Sequence, residues 1–322
     1  MRLATFNIES LGGDRRTGAP IEDRIAVLRP QLERLRAEVL CLQEINTRKA
    51  GGTRQPADLK RLLAGTPYAE HALEIAARPG GDTPADVHNP AILTRLPVVE
   101  REDIHQRLVA PPSWQNTTAI PPGEAPQPMT WDRPIQRLAL ALPDGRHLHV
   151  FNVHLRAPLA APIAGQKDAP FVWKSVAGWA EGYFVSAMKR SGQALELRLA
   201  AERVFDADPD ALIAVCGDFN AEDHDTALRL ACAGEDDTGS GRLAGRVLTP
   251  VERSLPADRR YTVVHHGRPQ MPDHILASRA LFGRLASVEI HNEMLEDELV
   301  AFGRIDRPPE SLHAPMVAEF AI

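Results

Sequence analysis

Cysteine is scarce in this chain, with three residues in 322. Such a small, odd number gives no disulfide framework, and Cys41 and Cys216 sit inside apolar runs where a buried thiol is the ordinary reading. No apolar stretch approaches the roughly 20 residues needed to cross a bilayer, which argues against a membrane protein. The opening Met1-Arg2-Leu3-Ala4-Thr5-Phe6-Asn7 turns polar too soon for a secretory signal, so a cytoplasmic enzyme is the expectation. Positive charge is also in deficit: 37 Lys and Arg against 43 Asp and Glu give a formal net charge of -6. That excludes a general basic coat for gripping nucleic acid, though not a local basic patch. No internal repeat is visible. Hydrophobic residues at 43% and charged residues at 25% are enough to build a core unaided, and favour one domain over the two that the length would allow.

Four short apolar runs end abruptly in polar residues, as strands do when they deliver side chains to one edge of a sheet. Leu3 to Phe6 ends at Asn7, Val39 to Leu42 at Gln43-Glu44, Val150 to Val153 at His154, and Leu212 to Cys216 at Gly217-Asp218-Phe219-Asn220. Between the first two, Ile25, Leu28, Leu32 and Leu35 recur at helical spacing, a connection of βαβ type in which Pro30 marks a kink or a late start. Gln136 to Leu142 and His147 to Val153 flank Asp144-Gly145, a hairpin signal that makes the sheet mixed. Gln193 to Phe205 reads as an amphipathic helix and Ala314 to Phe320 as a last strand. The proline-rich stretch from Pro111 to Pro134 reads as a long surface loop.

Each candidate residue has a plain reading beside its chemical one. Asp218 and Asn220 follow a glycine, so the chain can turn and present a carboxylate and a carboxamide together; taken alone, they equally stabilise a turn. The carboxylate suits activation of water and the amide suits a phosphoryl oxygen. Glu44 is either a solvated strand end or the hard oxygen ligand that Mg²⁺ takes alongside waters and phosphate. Asn7 could serve the same water shell or a turn. His147 with His149, and His265 with His266, read as solvated positions. His154 and His313 stand apart at strand boundaries beside the other candidates, and Asp273 could hold an imidazole in one tautomer.

Thr5-Phe6-Asn7-Ile8, Leu42-Gln43-Glu44-Ile45, Asn152-Val153-His154-Leu155, Gly217-Asp218-Phe219-Asn220, Asp273-His274-Ile275-Leu276 and Ser311-Leu312-His313-Ala314-Pro315 together resemble the ordered motifs of the endonuclease/exonuclease/phosphatase superfamily. The resemblance spans nearly the whole chain. It implies an α/β fold, a four-layered sandwich of two mixed β-sheets packed face to face with helices outside, built as a single domain over residues 1–322. It also implies roles: Glu44 binds the metal with Asn7 in support, Asp218 positions or activates water, and Asn220 contacts the phosphate. His313, oriented by Asp273, and His154 stabilise charge on the phosphoryl group. The sequence departs from the motifs at Leu312, where the family usually carries aspartate. Asp306 or Glu310 is the expected source of a compensating carboxylate, and an aspartate restored at 312 is expected to tighten metal binding.

The connection at about 156–193 is an insertion carrying Phe171, Trp173, Trp179, Tyr183 and Phe184 with Lys174, Lys189 and Arg190. Its aromatic and basic residues could stack bases or cap a small substrate, and a local core is the preferred reading. The resulting expectation is a Mg²⁺-dependent, or Mn²⁺-dependent, phosphoesterase acting on a phosphodiester, nucleic acid included, by in-line attack of water. The alternatives are a small-molecule phosphomonoester phosphatase and, with Leu312 in view, a noncatalytic binding protein on the same fold.

Overall fold

The computed structural model describes residues 1–13, 18–305 and 308–322. The elements that matter for the site are β1 (Arg2–Leu11), α1 (Ile21–Leu35), β2 (Val39–Ile45), α2 (Ala57–Leu63), β3 (Ala72–Ile75), β4 (Asn89–Thr94), β5 (Val98–Ile104), β6 (Ile135–Ala141) and β7 (His147–His154). They continue with α3 (Val176–Ala207), β8 (Leu212–Asp218), α4 (Thr226–Cys232), β9 (Leu248–Pro250), β10 (Asp273–Ser278), β11 (Leu285–Ile290) and β12 (Met316–Phe320).

Two six-stranded sheets form, in the orders β11-β12-β1-β2-β4-β3 and β9-β10-β8-β7-β6-β5. One parallel pair lies at the middle of each, β1 with β2 and β7 with β8, and the remaining neighbours are antiparallel. Successive side chains on a strand point to opposite faces, and here both faces are covered. In β1 and β2, Leu3, Val39 and Cys41 face the second sheet, meeting Leu138, Val150, Leu212 and Ala214. Ala4, Phe6, Leu40 and Leu42 face outward onto Leu28 and Leu32 of α1 and Leu59 and Leu62 of α2. The second sheet repeats the plan, with Phe151, Val153, Ile213 and Val215 against Leu197, Ala201, Val204 and Phe205 of α3 and Leu228 of α4. The result is four layers, as expected. Double coverage is also why the strands read as uninterrupted apolar runs, each buried Leu, Val or Phe contributing about 1.5–3 kcal/mol.

One buried polar group bridges the two sheets. Gln43 of β2 donates through Nε2 to Asn152 Oδ1 of β7 at 2.8 Å, and Asn152 Nδ2 donates to Leu42 O and Ala91 O at 3.0 Å each. Gln43 immediately precedes Glu44, and Asn152 lies two residues before His154.

Pro30 lies inside α1, which nonetheless runs unbroken from Ile21 to Leu35. The expected helix from Gln193 to Phe205 is the second half of one 32-residue helix, α3, which begins at Val176 behind the N-cap Ser175. Its first half packs on the proline-rich loop, not on the sheet, and Gly178, Gly182 and Gly192 interrupt its apolar pattern. At Gly192 a Cβ would lie 2.3 Å from the Trp131 ring, so the missing side chain is what lets the loop come close. Two glutamates of α3 fasten that loop. Glu181 accepts from Trp114 Nε1 and the backbone of Thr117 and Thr118; Glu196 accepts from Trp131 Nε1 and the backbone of Gln106, Arg107 and Leu108.

The insertion's aromatics do not form the local core that was expected. Phe171 is 77% exposed, and Trp179, Tyr183 and Phe184 are between 40% and 45% exposed. The small core there is Met129, Ala161 and Val185, against which Trp114 and Met188 pack. The first half of α3 has the loop on one side only, which leaves the aromatic side in solvent. Among the described residues no helix is long and apolar enough to cross a membrane.

Candidate active site

The strand ends that carry polar residues are bent open. Register shifts fall between Asn7 and Leu11 in the β1–β2 pair and between Leu42 and Ile45 in the β2–β4 pair. Glu9, Ser10 and Glu44 occupy these bulges with φ of 49°, 46° and 65°, and His88 (58°) and Asn220 (49°) are likewise left-handed. Non-glycine residues adopt this conformation at a cost of order 1–3 kcal/mol, and bulges re-aim side chains that a regular strand would send into a core. On the second sheet, Gly217 has φ of 139°, and a Cβ there would stand 2.0 Å from Val153 O. Only glycine lets β8 approach β7 so closely, which brings Asp218 beside His154.

The seven expected residues converge. Asn7 Nδ2 donates to Asp218 Oδ2 at 2.9 Å and lies 3.5 Å from Glu44 Oε1. His154 Nε2 is 3.5 Å from Asp218 Oδ2 and 3.8 Å from Glu44 Oε1. Asn220 donates its backbone N–H to Asp218 Oδ1 at 2.8 Å and its side-chain Nδ2 to Leu155 O. Asp273 Oδ2 accepts from His313 Nδ1 at 2.7 Å and from Thr262 Oγ1 at 2.6 Å, while its Oδ1 is buried without a partner. Ser311 Oγ donates to Asn7 O, tying the last motif to the first. Asn7 therefore turns its nitrogen toward the carboxylates, and its oxygen is taken by the Glu9 N–H at 3.0 Å. His274, next to Asp273, faces away, bonding Ala221 O and pairing with Glu252.

The charges sort themselves. Burial and the neighbouring Asp273 push Asp218 up to about 7. His313 rises well above its ordinary value: burial opposes this, but Asp273 first, then Asp218 and Glu9, hold the proton on the ring. His154 goes the other way, lowered well below its ordinary value by burial and by Arg133, so it is neutral at pH 7. Burial alone would raise Glu44, yet the surrounding His154, His88 and Arg133 outweigh it and hold the carboxyl at about 2. With His154 neutral, Arg133 and the His313 imidazolium are the lasting part of that attraction.

Two groupings could hold a cation. Asp218, Asp273 and His313 bring one ligand atom each within 4.8 Å of one another. A protonated imidazole cannot ligate, however, and His313 and Asp273 already bind each other. Glu44 is the better donor: ionised, with one oxygen held by Ser10 N–H at 2.9 Å and the other facing Asn7 and His154. Hard carboxylate oxygens fit Mg²⁺ or Mn²⁺.

Leu312 is 1% exposed, and its backbone N–H donates to Glu9 Oε2 at 2.9 Å. The carboxylate next to this position is thus Glu9, from the first motif, and not Glu310, which acts on Arg24; Asp306 lies outside the described residues. The leucine is enclosed, which weighs against the expected gain in metal binding from an aspartate at 312. Glu9, Ser10, His88 and Arg133 adjoin the candidate site, and the sequence did not single them out. Glu9 and Ser10 adjoin Asn7-Ile8 in sequence, but His88 and Arg133 come from connections that carry no local signal.

A sequence model of the endonuclease/exonuclease/phosphatase family matches residues 4–293. No curated protein sequence matches the chain. Among solved structures, truncated TDP2 from Caenorhabditis elegans is similar with a TM-score of 0.57 at 13% identity, over 99% of this chain and 96% of that one. An AP endonuclease from Archaeoglobus fulgidus gives 0.53 at 17% identity over 100% of both chains. A 3' phosphatase from Neisseria, NExo, bound to product DNA hairpin, gives 0.55 at 17% identity, also over 100% of both. At such identities these likenesses speak for the fold, two large mixed sheets with helices outside. Enzymes of the matched family are hydrolytic phosphoesterases and generally depend on a divalent metal, and with its sequence matched over most of its length this chain belongs to the endonuclease/exonuclease/phosphatase family.

Proposed function

We propose that the protein hydrolyses a phosphodiester by in-line attack of water, with Mg²⁺ or Mn²⁺ held on Glu44. The observation that carries this reading is the opposed pair at the centre: Asp218, a buried carboxyl poised near 7, and His313, an imidazolium fixed by Asp273. A bound cation supplies charge neutralisation at the phosphoryl oxygens. Asp218, steadied by Asn7 Nδ2 and the Asn220 N–H, takes the proton of the attacking water. The water oxygen bonds to phosphorus, the opposite P–O bond breaks, and the departing oxygen is protonated from solvent. His313 and the amide of Asn220 bind the oxygens on which charge accumulates, while neutral His154 donates or accepts without adding to the charge. Residues 1–322 are taken as one domain, a view supported by the core shared between the two sheets, with the insertion at 156–193.

Exposed rings on the insertion favour a substrate with stackable bases over a bare phosphomonoester, since Trp179 and Tyr183 are stacked with centroids 5.5 Å apart and remain accessible. The test is a panel of phosphomonoesters, small diesters, single- and double-stranded DNA, and RNA, each with Mg²⁺, Mn²⁺ or EDTA. Diester cleavage that EDTA abolishes is expected; turnover of monoesters alone refutes the diesterase reading. If nucleic acid is the substrate, the rate at low substrate falls with salt as phosphate contacts are screened.

A further inference from the structure

Arg133 is the cation that the motifs leave unexplained. It ends the proline-rich loop, and three contacts fix its backbone neighbourhood. Trp131 Nε1 donates to Glu196 at 2.7 Å, Gln193 Nε2 donates to Arg133 O at 3.3 Å, and Asp132 is engaged by Arg156 and Lys189 at 2.9 and 3.2 Å. Asp132 thus forms its ion pairs with Arg156 and Lys189 and acts on Arg133 only at longer range. Among the described residues no carboxylate comes within ion-pair distance of the Arg133 guanidinium, although Glu44, Asp132 and Asp218 lie near enough to act on it electrostatically. Its Nε is buried and has no hydrogen-bond partner.

One guanidinium nitrogen is held. Arg133 Nη2 lies 3.0 Å from His88 Nδ1, and because guanidinium only donates, that ring nitrogen must accept. The proton of neutral His88 then sits on Nε2, which faces Ser10 Oγ at 3.2 Å, and the Ser10 hydroxyl donates to Glu44 Oε2 at 3.2 Å. Donor and acceptor roles agree along the whole chain, Arg133 to His88 to Ser10 to Glu44. The chain orients the guanidinium fork while leaving most of its five N–H groups uncommitted. A desolvated, oriented guanidinium with spare donors is suited to a doubly bonded oxyanion, and beside Glu44 and Asp218 the substrate's phosphoryl group is the anion that arrives.

We propose that Arg133 binds a phosphoryl oxygen of the substrate, and that His88 is the positioning residue that aims it. The assignment of the anion rests on the phosphoesterase reading above. A purely structural arginine, present only to balance Glu44, would leave phosphate affinity unchanged when removed.

The test uses the full chain, with inorganic phosphate as a calorimetric probe and bis(p-nitrophenyl) phosphate for turnover. Arg133→Ala is expected to weaken phosphate binding at least about tenfold and to lower kcat/KM about 10²-fold, with added guanidinium ion restoring part of the rate. Arg133→Lys keeps the charge but not the fork, so it recovers phosphate binding better than kcat. His88→Ala lowers kcat/KM in the parent and has no further effect in the Arg133→Ala background. Phosphate affinity and kcat/KM within a few-fold of the parent in folded Arg133→Ala overturn the proposal. Should that variant not fold, Arg133→Lys and Arg133→Gln decide by the same two readouts. A parent that binds phosphate through Arg133 yet hydrolyses no ester refutes the phosphoesterase reading and leaves the Arg133 assignment standing. A parent whose phosphate binding does not depend on Arg133 refutes the assignment whether or not it turns over esters.

Discussion

Residue 312 shows how one side chain redistributes charge in a site. The family places a carboxylate there; in this chain a buried leucine fills the position and Glu9 comes to its backbone N–H from the opposite side of the site. Glu9 is already pushed up by burial and by its proximity to Glu44. Leu312→Asp would therefore bury a second carboxylate at an enclosed position whose backbone already faces one, where Glu9 already draws on the nearby His313 and Arg24 charges. The expected outcome reverses the sequence-based one: a loss of about 2–4 kcal/mol of stability and no gain in Mg²⁺ affinity. Thermal melts alongside a magnesium titration check it, and tighter Mg²⁺ binding in a stably folded variant contradicts it. The same position was read as a deficit from sequence because a motif records which residue is absent, not which neighbour has moved in.

At the scale of elements, the site depends on how two sheets are fastened beneath it. Asn152 is fully buried and makes three hydrogen bonds across the sheet interface. Asn152→Ala takes one acceptor from Gln43 Nε2, which keeps Thr5 Oγ1, and a donor from two carbonyls in a dry interior, and is expected to cost about 2–4 kcal/mol in chemical denaturation. A cost below about 1 kcal/mol would mean that water takes over these bonds. Helix α3 supplies the second fastening. Glu181 is held down at about 2, against an ordinary value of 4.5, because its Thr118, Thr117 and Trp114 donors outweigh the burial that alone would raise it. A depressed carboxyl stabilises the fold above its unfolded value and loses that contribution as pH falls through its folded one. The contribution, up to about 3 kcal/mol, should therefore be present above pH 4.5 and vanish toward pH 2. Acid titration of tryptophan emission checks this: the transition that reports Trp114 in the parent should be missing in Glu181→Gln. An identical acid profile in both proteins contradicts the assignment.

Across the whole molecule, much of the site was legible because polar residues interrupt apolar strands at their ends: Asn7, Glu44, His154 and Asp218 all betray themselves this way. The hairpin was legible from its Asp144-Gly145 turn, and the four layers from the resemblance of the ordered motifs to the family, while double burial shows as continuous apolar runs. The length of α3 was not, because its first half faces a loop and its pattern is broken by glycines that exist for close approach. Nor were His88 and Arg133, whose place beside Glu44 comes from a left-handed backbone and from a loop fastened by Glu196, neither of which has a local sequence signature. Glu44, Asp218 and His313 are proposed to form a metal-dependent ester-cleaving site. Its most direct test is the Mg²⁺-dependent rate of bis(p-nitrophenyl) phosphate hydrolysis by the parent and by Asp218→Asn, each before and after treatment with EDTA. Chelation is expected to abolish the parent rate, and Asp218→Asn to lower kcat by about 10²- to 10⁴-fold with little change in KM. Full activity after removal of metal, or an Asp218→Asn rate within a few-fold of the parent, would contradict it.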